Sequence, residues 1–352
     1  MLRLAAAVLL VAAAAPAVAP YPVVRPGVAM RFPGDHGGHP KFRTEWWYVT
    51  GWLRTATGED LGFQVTFFRT RPPTHQRNPS RFAARQVLFA HAGLSDPASG
   101  RLLHGERAAR QGFGLAQASS GDADVAIRDW RLRRSPDGRW TTRVGTEGFA
   151  FALDFEPTQP PIMQGAGGYS RKGPRPEEAS YYYSIPQLRV TGRVRRGGKT
   201  VSVSGKAWLD REWSSNYLAP EAQGWDWTGL NFEDGSAVMA FRIRRKGGGV
   251  LWAGGSLRRA DGATTVLGPK DVTFSPLATW RSKATGAVYP VKQELRVRTA
   301  RGVLRWRLEP LFPAQELDAR RSGLPVYWEG AVRTQGGRGY LELTGYDRAM
   351  AM

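Results

Sequence analysis

The segment from Lys206 to Phe232, KAWLDREWSSNYLAPEAQGWDWTGLNF, interleaves acidic and aromatic side chains. The residues in question are Trp208, Asp210, Glu212, Trp213, Glu221, Trp225, Asp226 and Trp227. Either the carboxylates face solvent from alternate strand positions, or they face a pocket with aromatic walls. In such a pocket a carboxyl group can keep its proton near neutral pH, and the ring faces can stabilise a cation.

Strand periodicity indicates which of these side chains share a face. Alternate residues of a strand point the same way, so Trp208, Asp210 and Glu212 are expected on one face. Trp225 and Trp227 are expected together on a face opposite to Asp226. The alternative interpretation is structural: the tryptophans are core residues and the carboxylates pair with nearby arginines, such as Arg211.

Several kinds of chemistry find no support in the sequence. The chain contains no cysteine, which excludes a thiol nucleophile, a sulfur-ligated metal, a disulfide and a lipoprotein anchor. It also lacks the serine-hydrolase, zinc-protease, phosphate-loop and dinucleotide motifs. Asp35, His36 and His39 in PGDHGGHP could ligate a metal, but histidines in a glycine-rich loop more often bond the backbone. We therefore predict no metal and no cofactor.

The remaining pattern is that of an all-β protein. Alternating segments bounded by glycine, proline and aspartate turns predict strands at 45–55, 60–70, 85–96, 151–157, 187–196, 199–209, 236–245, 293–299, 303–310 and 338–346. Strands at this spacing are typical of antiparallel sandwiches or barrels. The irregular stretch 157–180 is too long for a hairpin loop and is either functional or mobile. We favour a functional loop, because the YYYS sequence that follows would hold its end.

Three pairs of segments suggest a duplicated domain. Residues 45–53 resemble 225–232, residues 63–71 resemble 237–245, and residues 89–100 resemble 251–262, in the same order. The period is far longer than that of a solenoid repeat. Chance similarity between strands is the alternative. We predict domains at 20–205 and 206–352.

The amino terminus and the charge indicate the compartment and the partners. Residues 1–19 have a basic residue, an apolar run and an AVA sequence, which predict a secretory signal peptide and a periplasmic or secreted protein. A membrane anchor is the alternative, but the run is short and Pro16 interrupts it. The net charge is +20, and the arginines are scattered over strand ends. An anionic membrane surface is therefore a better candidate partner than nucleic acid.

A set of motifs resembles a known family. HPKFRTEWWYVTGWL, LGFQVTFFR, HAGLSD, YSRKG, ASYYYS and SGKAWLDREWSS followed by GWDWTGLNFEDGS are similar to the AttH-like and carotenoid 1,2-hydratase family of secreted hydrolases and lipocalin-like proteins. The resemblance covers nearly the whole mature chain. It implies two lipocalin-like, calycin-type antiparallel β-barrels packed side by side. One difference is Arg211, at a position where the motif of hydratase-type members has a histidine. This difference puts carotenoid hydration itself in doubt.

The resemblance also implies where function lies. The family's functional region maps onto Asp210, Trp213, Trp225 and Asp226, with Glu45 and Trp46 from the first barrel. Tyr183 of the YYYS motif and Trp227 complete the candidate ligand-binding residues. Asp210 is the expected proton donor, and Asp226 or Glu212 would activate water.

Three classes of function are open: an enzyme, a carrier and a structural module. The ligand is expected to be apolar, of isoprenoid, polyene or lipid type. The reaction would be an acid-assisted hydration or hydrolysis. A periplasmic carrier would use the same pocket without chemistry, and a structural module of the cell envelope is the third alternative. Fold alone cannot choose among them.

Overall fold

The protein is all-β, with two large antiparallel sheets that form two lipocalin-like barrels. The computed structural model describes residues 21–320 and 325–350, so the predicted signal peptide lies outside the described residues. The helices in these ranges are single 3₁₀ turns at Gly34–His36 and Pro97–Ser99. No helix of the described chain is both long and apolar enough to span a membrane.

The first sheet has thirteen strands. They are β1 (Thr44–Thr55), β2 (Asp60–Thr70), β3 (Val87–Asp96), β4 (Arg101–Arg110), β5 (Ala116–Ala118), β6 (Asp124–Ile127), β7 (Trp130–Arg134), β8 (Trp140–Gly145), β9 (Phe149–Glu156), β10 (Ile162–Met163), β11 (Tyr169–Arg171), β12 (Ala179–Arg196) and β13 (Lys199–Asn216). Their spatial order is β4-β3-β2-β1-β13-β12-β9-β8-β7-β6-β5, and β10 and β11 pair with β12.

The second sheet has ten strands. They are β14 (Ala222–Phe232), β15 (Ala237–Arg245), β16 (Val250–Arg258), β17 (Thr264–Leu267), β18 (Val272–Arg281), β19 (Val288–Thr299), β20 (Gly302–Pro310), β21 (Glu316–Asp318), β22 (Val326–Thr334) and β23 (Gly337–Thr344). Their order is β17-β16-β15-β14-β23-β22-β20-β19-β18, and β21 pairs with β22.

The two sheets share a strand order, as a duplicated domain requires. Strands β4-β3-β2-β1-β13-β12-β9-β8-β7 correspond one by one to the path of the second sheet. The three pairs of similar segments lie on β1 and β14, on β2 and β15, and on β3 and β16. Similarity in sequence and position in the sheet therefore agree.

The predicted domain boundary needs correction. The position between residues 205 and 206 falls inside β13, whose whole length pairs with β1 or β12 of the first sheet. The chain passes from the first sheet to the second between Asn216 and Ala222. Asp210, Glu212 and Trp213 therefore belong to the first barrel and not, as predicted, to the second.

Of the four buried apolar clusters in the described chain, three are large. One fills the first barrel, one fills the second, and a third lies between them, with residues from both sheets. In this third core Trp52 Nε1 donates a hydrogen bond to the carbonyl of Gly339 at 2.9 Å. Gly62 allows the close approach, because a Cβ there would lie 2.7 Å from the Ala331 Cβ. Around these residues the contact between the barrels is thus as closely packed as a domain core.

The stretch 157–180 is folded rather than a free loop. Its β10 and β11 pair with β12, and it also contacts the second barrel. Ser256 Oγ donates to Gln164 Oε1 at 2.8 Å, and Arg258 Nη1 donates to the Pro160 carbonyl at 2.6 Å. These bonds fix the segment across the junction of the two barrels.

Candidate functional site

A cavity lies between the barrels and is built from the outward-facing residues of both. The first sheet contributes Trp46 and Tyr48 from β1, Tyr182 from β12, and Asp210 and Glu212 from β13. The second sheet contributes Trp225 and Trp227 from β14, Tyr327 and Glu329 from β22, and Glu342 from β23. The inner cavity has a volume of about 60 Å³. Four carboxyl groups thus face one small aromatic space.

A larger pocket of about 620 Å³ lies next to this cavity. The two spaces share Phe68, Tyr217, Trp225, Tyr327 and Glu342 in their walls. The pocket has the size of a small-molecule site. The shared walls therefore place the outer pocket beside the carboxyl groups of the inner cavity.

Asp210 is the most closely held of the four acids. Oδ1 accepts hydrogen bonds from Ser184 Oγ at 2.5 Å and from Trp208 Nε1 at 2.7 Å, and Oδ2 accepts one from Tyr182 Oη at 2.7 Å. Burial raises the pKa of Asp210 to about 7, against the lowering effect of these donors. Asp210 can therefore hold or release a proton near neutral pH.

Glu212, unlike Asp210, forms an ion pair. Lys172 Nζ lies 3.0 Å from Glu212 Oε1, and Ser180 Oγ donates to the same oxygen. The lysine comes from the 157–180 segment and lies over the rings of Tyr182 and Phe241 at 4.6 and 4.3 Å. Burial raises the pKa of Glu212 and lowers that of Lys172, while their mutual attraction opposes both shifts.

Glu329 and Glu342 are functional candidates that sequence reasoning missed. They are register partners on β22 and β23; Glu329 is buried, and Glu342 is half-buried. Gln64 Nε2 donates to Glu329 Oε2 at 2.9 Å. Burial raises the pKa of each carboxyl, and for Glu329 the neighbouring Glu342 adds to the increase. The signal was present in VYWEGAV and YLELTG, where a single carboxylate interrupts an apolar strand.

Asp226 is not brought to the cavity. It points from β14 into the second barrel, the face opposite to Trp225 and Trp227. Arg242 Nη2 lies 2.6 Å from its Oδ2, Arg244 Nε lies 3.1 Å from its Oδ1, and Tyr346 Oη also donates to Oδ1 at 2.9 Å. Asp226 and Glu212 were the two predicted candidates for the group that activates water. Only Glu212 lines the cavity, because strand alternation points Asp226 away from it.

Glu45, Tyr183 and Trp213 also face away from the cavity, into the first barrel. Glu45 is fully buried and paired with Arg69 and Arg211, which holds its pKa well below the ordinary range. Trp213 is stacked on His39 with ring centroids 3.9 Å apart. These predicted ligand-binding residues are structural. Arg211, the residue that differs from the hydratase-type motif, lies with them, outside the cavity.

The two histidines near the amino terminus take part in the same packing. His36 Nδ1 shares a hydrogen bond of 2.6 Å with Tyr183 Oη, and His39 lies between Asp35 and Glu45 at 3.0 and 3.3 Å. Across the described ranges, no group of three or more potential ligands is arranged to hold a metal ion.

Comparison with known proteins gives a family and a fold. The AttH-like family model matches residues 23–346. The crystal structure of a candidate AttH from Nitrosomonas europaea is 50% identical, covers 93% of this chain and 100% of its own, and has a TM-score of 0.85. No curated protein sequence gave a match.

Two more distant crystal structures share the fold. Kievitone hydratase from Nectria haematococca is 15% identical, with a TM-score of 0.65 and coverage of 93% of this chain and 94% of its own. CghA with Sch210972 is 14% identical, with a TM-score of 0.56 and coverage of 94% and 97%. At these identities the likeness shows the two-barrel fold alone.

Proposed function

The chain belongs to the AttH-like family, and from this premise we propose that it binds an apolar, unsaturated ligand between its barrels and adds water to a double bond with Asp210 as proton donor. The observation that carries the proposal is the place of Asp210: a buried carboxyl group at the inner end of an aromatic pocket. A neutral acid beside an apolar substrate is what protonation of carbon requires, because a solvated carboxylic acid is ionised at neutral pH.

The hydrogen bonds indicate which oxygen carries the proton. Oδ1 accepts two hydrogen bonds, from Ser184 and Trp208, whereas Oδ2 accepts one, from Tyr182, so Oδ2 has room for the proton. The Tyr182 hydroxyl accepts a hydrogen bond from Trp227 Nε1 at 3.1 Å. Trp227, Tyr182 and Asp210 thus form a chain of donors that orients the acid.

The reaction has two steps. Asp210 gives its proton to one carbon of the C=C bond, and the other carbon becomes cationic. The rings of Trp46, Tyr48 and Trp227 line the same cavity and stabilise the cation. A water molecule then bonds to the cationic carbon and returns one proton to the Asp210 carboxylate, so that one water is added to one double bond.

The cavity volumes restrict the substrate. The inner space of about 60 Å³ is about one tenth as large as the outer pocket, so it admits only one end of an elongated ligand. The body of the ligand must lie in the outer pocket of about 620 Å³. We therefore propose a reacting bond near one end of an elongated molecule, of isoprenoid or polyene type.

The test compares Asp210→Asn with Asp226→Asn, the same substitution at an equally buried site outside the cavity. Terminally unsaturated isoprenoids and polyenes serve as substrates, and product is measured by mass spectrometry per folded molecule. We expect Asp210→Asn to lose about 10²–10⁴-fold in rate, the usual worth of a general acid, while Asp226→Asn retains its rate. Equal rates in wild type and Asp210→Asn would contradict the assignment.

The carrier alternative makes a different prediction in the same experiment. A carrier binds the ligand with quenching of tryptophan fluorescence, and no product forms with wild type or variant. Binding without product across both substrate classes would favour the carrier over the enzyme.

Export is a separate proposal, supported by the pattern of residues 1–19. We expect the mature protein to begin near Pro20. Amino-terminal sequencing of protein from its native host tests this, and a cytosolic chain that starts at Met1 would overturn it.

A further inference from the structure

Two phenylalanines stand exposed at one end of the first barrel. Phe82, between β2 and β3, is 61% exposed, and Phe113, which follows β4, is 47% exposed. Their rings are stacked with centroids 5.1 Å apart. The two side chains therefore form one apolar patch on the surface instead of packing into a core, and contiguous exposed apolar surface is typical of an interaction site.

The backbone holds Phe113 in an unfavourable conformation. Gly112, Phe113 and Gly114 have φ values of +98°, +57° and +70°. The left-handed region costs little for glycine but is unfavourable for a bulky side chain. A glycine would relieve the strain at the middle position, so the local backbone does not by itself favour a phenylalanine there.

Arginines surround the patch without acidic partners. Residues 71–86 include Arg71, Arg77, Arg81 and Arg85 and no aspartate or glutamate. The guanidinium groups of Arg81 and Arg110 lie over the Phe113 ring at 5.4 and 4.1 Å. Arg77 and Arg81 are exposed and form no ion pair with any residue of the described chain. The cations are therefore free to bind an external anion.

The patch lies at the same end of the sheet as the mouth of the outer pocket. Thr44 pairs with Thr70, Thr70 with Val87, and Val87 with Arg110. Thr44 and Thr70 line the outer pocket, and Arg110 contacts the patch. Neighbouring strands are about 4.8 Å apart, so a flat partner on this end of the sheet would reach both the patch and the mouth.

We propose that Arg77, Arg81, Phe82, Arg110 and Phe113 form a docking surface for an anionic phospholipid bilayer. The two rings enter the headgroup region, and the guanidinium groups bind lipid phosphates. Aromatic side chains among unpaired cations fit this partner because a bilayer offers apolar depth and negative charge together. That docking delivers a membrane-dissolved ligand to the pocket is a further step, which rests on the proposed function.

Vesicle sedimentation tests the docking without any substrate. Wild-type protein is mixed with vesicles that contain phosphatidylglycerol, or with vesicles of phosphatidylcholine alone. Arg77→Glu/Arg81→Glu is compared with Arg193→Glu/Arg301→Glu, which makes the same change in net charge at exposed arginines far from the patch. We expect binding to the anionic vesicles only, weakened about 25-fold or more by the first pair, since each arginine contributes roughly fivefold.

A second variant separates the apolar contribution of the patch to vesicle binding from general electrostatic attraction. Phe82→Ser/Phe113→Ser leaves the charge unchanged and removes the apolar contribution, so we expect binding to fall about tenfold or more at the same salt concentration. Equal weakening by the two arginine pairs, or no effect of the phenylalanine variant, would overturn the proposal.

Two further measurements decide whether the patch binds a membrane or a second copy of the chain, and whether docking is independent of the proposed chemistry. Concentration-dependent dimerisation in solution that the phenylalanine variant abolishes, with no vesicle binding, would assign the patch to a second copy of the chain and overturn the proposal. Asp210→Asn should bind vesicles like wild type. Failure of the proposed chemistry and failure of docking are therefore observed in different experiments.

Discussion

Replacing Lys172 with methionine should make the stability of the protein depend on the protonation of Glu212. The substitution keeps a long side chain among the rings of Tyr182 and Phe241 and removes the only cation paired with Glu212 within the described ranges. At 3.0 Å and an effective dielectric constant of about 20, the lost attraction is about 5.5 kcal/mol. Protonating Glu212 at pH 7 costs only about 3.4 kcal/mol relative to its ordinary pKa of 4.5. Binding a proton therefore costs less free energy than keeping Glu212 ionised without its cation, so the variant should hold Glu212 neutral.

The sign and size of the effect follow from proton binding. In the Lys172→Met variant the folded state binds a proton at Glu212, and the unfolded state releases it above its ordinary pKa. The free energy of unfolding therefore falls as pH rises, by about 2.5 kcal/mol between pH 5 and pH 7. For a chain of 352 residues with an unfolding entropy of about 2.1 cal/mol/K per residue, this corresponds to a shift of about 3 °C in Tm.

The assay is denaturant unfolding of Lys172→Met and of Lys172→Met/Glu212→Gln across this pH range. Other titrating groups are common to both variants and cancel in the difference. The double variant should lack the extra slope. Parallel curves from pH 5 to pH 7 would refute the reasoning, because they would mean that an unpaired Glu212 stays ionised in the interface.

Three further outcomes are expected. Wild-type protein should be more stable to denaturant at pH 5 than at pH 7, because Asp210 and the three other acids of the cavity have raised pKa values in the folded state. Between these pH values Asp210 alone contributes about 2.3 kcal/mol, and the four acids together outweigh the buried His36 and His91, whose lowered pKa values act in the opposite direction. A curve that rises toward pH 7 would contradict this. Asp226→Asn should lower the free energy of unfolding by about 3–5 kcal/mol, because two arginines lose their shared partner, and calorimetry that shows no loss would contradict it. Trp225→Ala should weaken quenching by a polyene, whereas Trp213→Ala should leave affinity unchanged in folded protein; the reverse order would place the ligand in the first barrel.

The contribution of β22 and β23 to the site could not be predicted from sequence. Glu342 and Glu329 come near Asp210 only because β22 and β23 pair and the two barrels pack face to face. Their strands resemble any other half-apolar strand until that packing is known. The same holds for Lys172, which reaches Glu212 from a segment that local pattern could describe only as irregular.

The sequence by itself determined the all-β class, the duplication and which side chains share a face of a strand. Turn residues and a period of two are local properties, so Trp208, Asp210 and Glu212 could be grouped together, and Asp226 separated from its tryptophan neighbours. Which face becomes the cavity was decided only by the tertiary structure. The central strands are buried on both faces, so no polar side marks the solvent. Glu45 and Trp46 were therefore equal candidates in sequence, and the packing of one barrel against the other turned Trp46 into the cavity and Glu45 into an ion-paired core.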